Sequence, residues 1–308
     1  MSNYFDNKDS FLAPKVNQYS NHMVMTNVSL PTQVKYINID TRNLDTSCNP
    51  IASYVVNLPD RINNVKSLSL RNIEIPNTFY NISSNLGNNY FSVYDIANDI
   101  GGNVVIPDGN YTTTTLVTQI NSSLYSLGYN FSDLTFSVTN NFFNVTLAGG
   151  SDATSGINII FDYDKDGNFD KYNFKRKLGW ILGFRGLSYT ITDTTLVAES
   201  LPDLNGPRYL YLVVDEFSKG NQNSFIAPIS KSILQSNILA RITMDPVAFS
   251  FGNIIPANIY NGLLLNDKRK YNGKVDLQKL KIVLTDENGI PVNLNGLGFS
   301  FCMEVEYE

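Results

Sequence analysis

The sequence predicts an all-β chain: a single jelly-roll β-sandwich, interrupted by an inserted small α+β domain and preceded by an extended N-terminal arm. Three observations predict it. Phe and Tyr number 18 each against one Trp and one His, and Asn, Ser and Thr crowd the polar positions, a composition suited to many short strands joined by turns. Period-two alternation of apolar residues recurs early in the chain and again in its final third. Between those stretches lies the one strong helical repeat. At 308 residues there is room for one large β-domain or for a domain carrying an insertion.

Residues 1 to 30 show neither helical nor alternating periodicity. They are polar with isolated apolar anchors at Phe5, Phe11, Leu12, Met23 and Met25. Such a segment cannot form a core of its own, so it either frays as a tail or lies extended across a partner with those anchors in the partner's surface pockets. Residues 1–33 are therefore set apart as an arm. Strands follow at Val34–Ile39, at Tyr54–Leu58 and at Val65–Ile75, the last closed by Pro76 because proline cannot donate to the ladder. In that third run the apolar phase steps from Leu68 and Leu70 to Ile73 and Ile75. An odd step restores the inward face only through a β-bulge, which places one near Arg71 and Asn72.

Residues 77–200 read differently. Leu116, Ile120, Leu124 and Leu127 recur at helical spacing until Gly128 offers a stop, and the polar Asn110 to Thr113 stretch can satisfy the free amides of the first turn. Around this helix lie short runs at Tyr90–Val93, Leu134–Val138, Phe143–Leu147 and Ile157–Phe161, then the apolar Leu178–Phe184. A helix lying on a small sheet buries them all.

From residue 201 the long strands return: Tyr209–Val214, Ile238–Ile242, Val247–Ile255 before Pro256, Leu280–Leu284 and Phe299–Tyr307. The last alternates throughout, burying one face and offering Ser300, Glu304 and Glu306 to solvent or a partner. Asp286–Gly289 carries a hairpin turn signal, and Asn295-Gly296 turns the chain into the final strand. Three strands before the insert and about five after it make the eight of a jelly roll. Early and late strands must then pair across the insert, so residues 34–76 and 201–308 form one split sandwich with 77–200 on its rim.

Charged residues make up only 17% of the chain with a net charge of -5, which argues against a protein whose task is neutralising nucleic-acid phosphates. Cys48 and Cys302 lie far apart, without a CxxC pair or a histidine cluster, and read as free thiols of a reducing compartment. No stretch approaches the ~20 apolar residues of a membrane span, and the opening MSNYFDNKDS lacks a signal-peptide layout. The expectation is a soluble chain made in the cytosol. Sequons at Asn81, Asn110 and Asn144 are of the number that so Asn-, Ser- and Thr-rich a chain produces by chance.

Two constellations invite a chemical reading. Asp162, Asp164, Asp166 and Asp170 surround Gly167 as alternating carboxylates do in a calcium loop, but Asn173 stands where that loop needs a bidentate Glu, and an acidic hairpin turn explains the same residues. No other cofactor is indicated. Asp215 and Glu216 are the carboxylates nearest to a glycosidase pair, yet adjacent acids at a strand end are commonly just solvated. The sole histidine, His22, sits in the unpatterned arm. The chain therefore reads as a non-enzyme. The basic runs Lys175-Arg176-Lys177 and Lys268-Arg269-Lys270 are short and isolated, suited to an acidic protein neighbour rather than to nucleic acid.

Five segments in order, INIDTRN (Ile37–Asn43), SLSLRNIEIPNTFYNI (Ser67–Ile82), IPDGNYT (Ile106–Thr112), KLGWILGF (Lys177–Phe184) and LTDENGIPVNLNGLGFSFCMEVEY (Leu284–Tyr307), resemble minor capsid and penton proteins of large icosahedral double-stranded DNA (giant) viruses. The resemblance runs from about residue 34 to the end of the chain and leaves the arm uncovered. It implies a single jelly roll with an inserted small domain, made in the host cytoplasm and placed in the virion capsid under the major capsid lattice or at its five-fold vertices. Its implied partners are the major capsid protein and other minor capsid proteins, or four further copies in a homo-pentamer. A different class, a host receptor or glycan-binding module, fits the exposed Tyr and Asn side chains of the insert equally well on the residues alone.

Overall fold

The computed structural model describes residues 31–44, 52–148, 156–164, 166–217 and 237–308. The arm anchors Phe5, Phe11, Leu12, Met23 and Met25, together with His22 and Cys48, lie outside the described residues. The architecture is all-β and jelly-roll-like. Its organising element is the alternating final strand β15 (Ser300–Tyr307), which pairs antiparallel with β1 (Gln33–Asp40) on one side and with β2 (Ser53–Pro76) on the other. The sheet continues through β14 (Arg269–Thr285), β10 (Tyr209–Asp215), β11 (Ile238–Thr243) and β13 (Leu264–Asn266), while β12 (Ile254–Asn258) attaches to the end of β2.

Two long strands make the sheet roll. The start of β2, Ser53 to Asn57, lies against Val283 to Lys279 of β14, whereas its later part, Val65 to Glu74, lies against Tyr307 to Ser300 of β15. Three register shifts in the β2–β14 ladder let one strand serve both groups of neighbours. The bulge expected near Arg71 and Asn72 is present: Asn72 opposes Cys302 and Leu70 opposes Met303, so Arg71 has no partner residue. Leu68, Leu70, Ile73 and Ile75 are in consequence all fully buried, with Phe301, Met303 and Val305 beside them. Each such side chain contributes about 1.5–3 kcal/mol of transfer free energy.

The strand expected over Val247–Ile255 is a correction. Asp245 Oδ1 accepts from the amides of Val247 and Ala248 and turns the chain there, leaving Val247 exposed. The strand proper, β12, runs through Pro256, which the ladder tolerates because β12 pairs only with β2. The runs expected separately at Tyr54–Leu58 and Val65–Ile75 are one strand, and β14 starts at Arg269 rather than Leu280.

A second apolar cluster, drawn from residues between Ile82 and Ala198, is distinct from the first, whose members fall between Ile37 and Ile75 and between Leu210 and Val305. Its helix α1 (Thr113–Leu127) buries Leu116, Ile120 and Leu124, and Thr112 and Thr115 form a reciprocal capping box at its start. The helix lies among β3 (Tyr90–Asp95), β4 (Ile100–Val105), β5 (Leu134–Thr139) and β6 (Phe142–Leu147), with β7 (Ile157–Ile160), β8 (Ser188–Ile191) and β9 (Leu196–Val197) completing two small sheets. The run Leu178–Phe184 forms the single-turn helix α2 (Leu178–Leu182). Gly179 there lies so close to Phe161 that a Cβ would stand 2.3 Å from the ring. No described helix is long and apolar enough to cross a membrane.

Candidate interaction surface

Pleating sends Val34, Tyr36, Asn38 and Asp40 of β1 outward, level with Glu306, Glu304, Cys302 and Ser300 of β15. Adjacent on β2 are Ser67, Ser69, the Arg71 bulge and Glu74. These side chains form rungs across the strands. Arg71 Nε donates to Glu304 Oε2 at 2.8 Å, its Nη2 pairs with the same oxygen, and the Tyr36 phenol is hydrogen-bonded to Glu304. That bond and the carboxylate charge push the Tyr36 phenol above its ordinary pKa. One rung along, Glu306 accepts from Ser67 Oγ at 2.7 Å and pairs with Lys268, which holds its carboxyl below the usual range. At the far end Ser300 Oγ donates to Glu74 at 3.0 Å.

The sequence placed Ser300, Glu304 and Glu306 on the outward face, and they stand there. Glu304 is nevertheless only 5% exposed, because Arg71, displaced by the bulge, and Tyr36 lie over it. Tyr36 at 62% and Val34 at 50% exposure leave an apolar strip on β1. Among the described residues β1 pairs only with β15, so its other edge carries a row of unpaired backbone groups eight residues long.

No protein-family model matches the chain, and no curated protein matches it. Among solved structures, the selenomethionine-labelled penton protein of mavirus is similar at a TM-score of 0.45 and 12% identity, over 90% of this chain and 100% of that one.

The carboxylates singled out for chemistry are spent on structure. Glu216 is fully buried, and its Oε2 accepts from Arg269 Nη1 at 2.7 Å in an ion pair with both side chains at 0% exposure. The expectation that Asp215 and Glu216 are both solvated is overturned for Glu216; Asp215 Oδ1 accepts from the Phe217 amide. The basic runs change meaning as well. Arg269 is interior, Lys268 belongs to the outer-face rung, and Lys177 is buried with its Nζ 3.0 Å from Asp170 and 2.7 Å from the Tyr90 hydroxyl.

Residues 162–164 and 166–170 form a small hairpin, with the Asp170 amide donating to the Asp162 carbonyl at 2.6 Å and the Asp164 amide to that of Asn168 at 2.7 Å. Asp164 accepts from the amides of Asn168 and Asp166, which hold its carboxyl below the ordinary range, while burial pushes Asp162 above it. Asp170 faces Lys177 and Asn173. Among the described residues no three Asp, Glu, His or Cys side chains gather as a metal would require. Of the sequons, Asn81 and Asn144 are buried, and Asn81 donates to the carbonyls of Tyr111 and Leu204. Cys302 is a free, half-buried thiol whose pKa burial raises.

Local pattern could not reveal the Tyr36–Glu304–Arg71 rung, which joins residues more than two hundred positions apart in sequence. The bulge was its one available signal, since a bulged residue projects away from its ladder neighbours.

Proposed function

We propose that this chain is a structural virion protein, a minor capsid (cement) protein or a penton protein, that stabilises an icosahedral capsid through contacts with the major capsid protein and other minor capsid proteins. The observation that carries the reading is the outer face of β1 and its edge, unpaired among the described residues, which adjoin the anchor-bearing residues 1–33. The five ordered segments that resemble minor capsid and penton proteins support the same reading.

Area arithmetic gives the arm a task. Eight residues of β1 span about 27 Å, and the three strands β1, β15 and β2 at about 4.8 Å spacing span about 14 Å, so the outer face offers about 400 Å². A standard interface buries about 800 Å² per partner. The shortfall of about 400 Å² is of the size an extended segment with a few apolar anchors supplies. Removing residues 1–30 should therefore leave a folded protein that incorporates weakly into capsids, and normal incorporation would refute the arm's role. Light scattering across low micromolar concentrations separates the two forms of the proposal: a stable pentamer selects the vertex, a monomer or dimer the lattice.

A second reading, a glycan-binding module, draws on a cavity of about 340 Å³ lined in part by Phe79, Tyr111, Phe251 and Asn110. A flat glycan screen with the full chain would remove it.

A further inference from the structure

A cleft of about 590 Å³ lies where the insert meets the sandwich. The insert contributes Lys175, Arg176, Trp180 and Arg185, and the turn after β14 contributes Asp286 and Glu287. Arg185 lies flat over the Trp180 ring at 3.9 Å, with Lys175 Nζ 5.8 Å from the same ring. Among the described residues none of Lys175, Arg176 and Arg185 forms an ion pair with an acid; Arg176 donates to the Leu86 carbonyl, and Arg185 to those of Trp180 and Phe184. Lys175, Arg176 and Arg185 thus bring three cations without an ion-pair partner among the described residues into one concavity.

The acids of the cleft answer them only in part: the charge of Arg176 acts on Asp286, lowering its carboxyl against the upward push of burial. Asp203 is paired with Arg208 at 2.8 Å. The Asp286 carboxylate accepts from the amides of Asn288 and Ile290 at 2.9 and 2.8 Å within its own turn. Glu287 has a buried Oε2 without a hydrogen-bond partner.

We propose that this cleft binds an acidic peptide segment of another protein chain, its carboxylates taken by Lys175, Arg176 and Arg185 and one of them hydrogen-bonded by Glu287. The volume falls within the usual range of about 300–1,000 Å³ for ligand sites. Guanidinium groups recognise planar carboxylates bidentately. A phosphate dianion would meet stronger repulsion from Asp203 and Asp286, which line the same cleft. Burial, reinforced by neighbouring Asp286, pushes the Glu287 carboxyl up to about 7, with Arg208 opposing and Asp203 adding to the shift. Near neutral pH it is thus still partly a donor, able to share its proton with an incoming carboxylate whose own pKa lies well below.

The test is fluorescence anisotropy of a labelled hexaglutamate peptide titrated with the full-length protein at low salt, at pH 6 and pH 8. With its label on the α-amino group the hexaglutamate titrates only through carboxyl groups, almost fully ionised at both values, so a pH effect belongs to the protein. Wild type should bind more tightly at pH 6. Reversing two cations, Lys175→Glu with Arg176→Glu, should weaken binding at least about ten-fold with the far-UV circular dichroism unchanged. Glu287→Gln, a permanent donor, should abolish the difference between the two pH values. Undiminished binding by the charge-reversed protein would overturn the site, and so would a full pH dependence in Glu287→Gln. Displacement of the peptide by an equal concentration of inorganic phosphate would overturn the choice of carboxylate. The measurement uses the isolated chain, so its outcome is independent of capsid incorporation.

Discussion

Replacing Glu216 by Gln removes one charge from the sandwich interior and leaves the guanidinium of Arg269 behind. That guanidinium is at 0% exposure, and besides pairing with Glu216 it donates to Val214 O at 2.7 Å and Asn237 O at 2.6 Å, with the Tyr271 phenol beside both charges. Breaking a buried pair by removing one partner costs about 3–5 kcal/mol, because the surviving charge has neither water nor counter-ion. Gln still offers an amide oxygen to Nη1, which places the expected loss near the low end, about 3 kcal/mol. With a urea m-value at the upper end of the usual range, about 3 kcal/mol per M, the midpoint should fall by about 1 M. The assay has a built-in control. The only tryptophan, Trp180, packs against the second apolar cluster, so its fluorescence follows that cluster while far-UV circular dichroism reports both clusters. The dichroism midpoint should drop and the fluorescence midpoint move less. A control replacing both members by apolar residues, Glu216→Leu with Arg269→Met, should recover only part of the loss, since apolar replacement of a buried pair is often neutral but here removes the donor to the Val214 and Asn237 carbonyls. A single-mutant loss below about 1 kcal/mol would refute the claim that Arg269 depends on Glu216.

Gly179→Ala should destabilise the insert by about 2–3 kcal/mol, because its Cβ would stand 2.3 Å from the Phe161 ring, itself stacked on Phe184 at 5.4 Å; the Trp180 fluorescence midpoint in urea reads it, and an unshifted midpoint would mean the ring moves freely. Glu287 predicts a pH slope in stability. Its folded pKa of about 7 lies above the ordinary 4.5, so its contribution is fully present below pH 4.5 and is lost as pH rises through 7. Glu287→Gln should match wild type at pH 4 and exceed it at pH 8, as urea midpoints at the two values will show.

What the sequence revealed and what it hid divide along a physical line. Helix α1 was legible because Leu116, Ile120 and Leu124 repeat locally and all point to one core. The bulge at Arg71 was legible as a change of apolar phase within a single strand. The first half of β14 was not. Its inward positions include Arg269 and Tyr271 ahead of Val275 and Leu277, and an arginine at an inward position reads as surface to any rule based on hydropathy. The misread strand at Val247 shows the converse: an apolar run looked like a strand because the Asp245 side chain that turns it lies just upstream of the run.

Glu216 was read as solvated because it is one of two adjacent acids at a strand end, and Arg269 as facing an acidic protein neighbour because it sits in a short basic run; the cost of burying an isolated charge supports both readings. Each assignment was sound for the residue alone and failed for the pair, whose members stand 53 residues apart. The cancellation also explains why the pair sits where it does. Arg269 opens β14, Val214 and Glu216 stand at the end of β10, and Asn237 immediately precedes β11. One guanidinium thus ties three strands of the rolled sheet at a single point, donating to the Val214 carbonyl and, beside the Val214 amide, to that of Asn237. An apolar side chain at Arg269 could fill the space but could not hydrogen-bond Val214 and Asn237. The apolar double replacement should accordingly recover less stability than a fully satisfied site would allow, and the shortfall measures what those two carbonyl bonds contribute, about 1–3 kcal/mol in all.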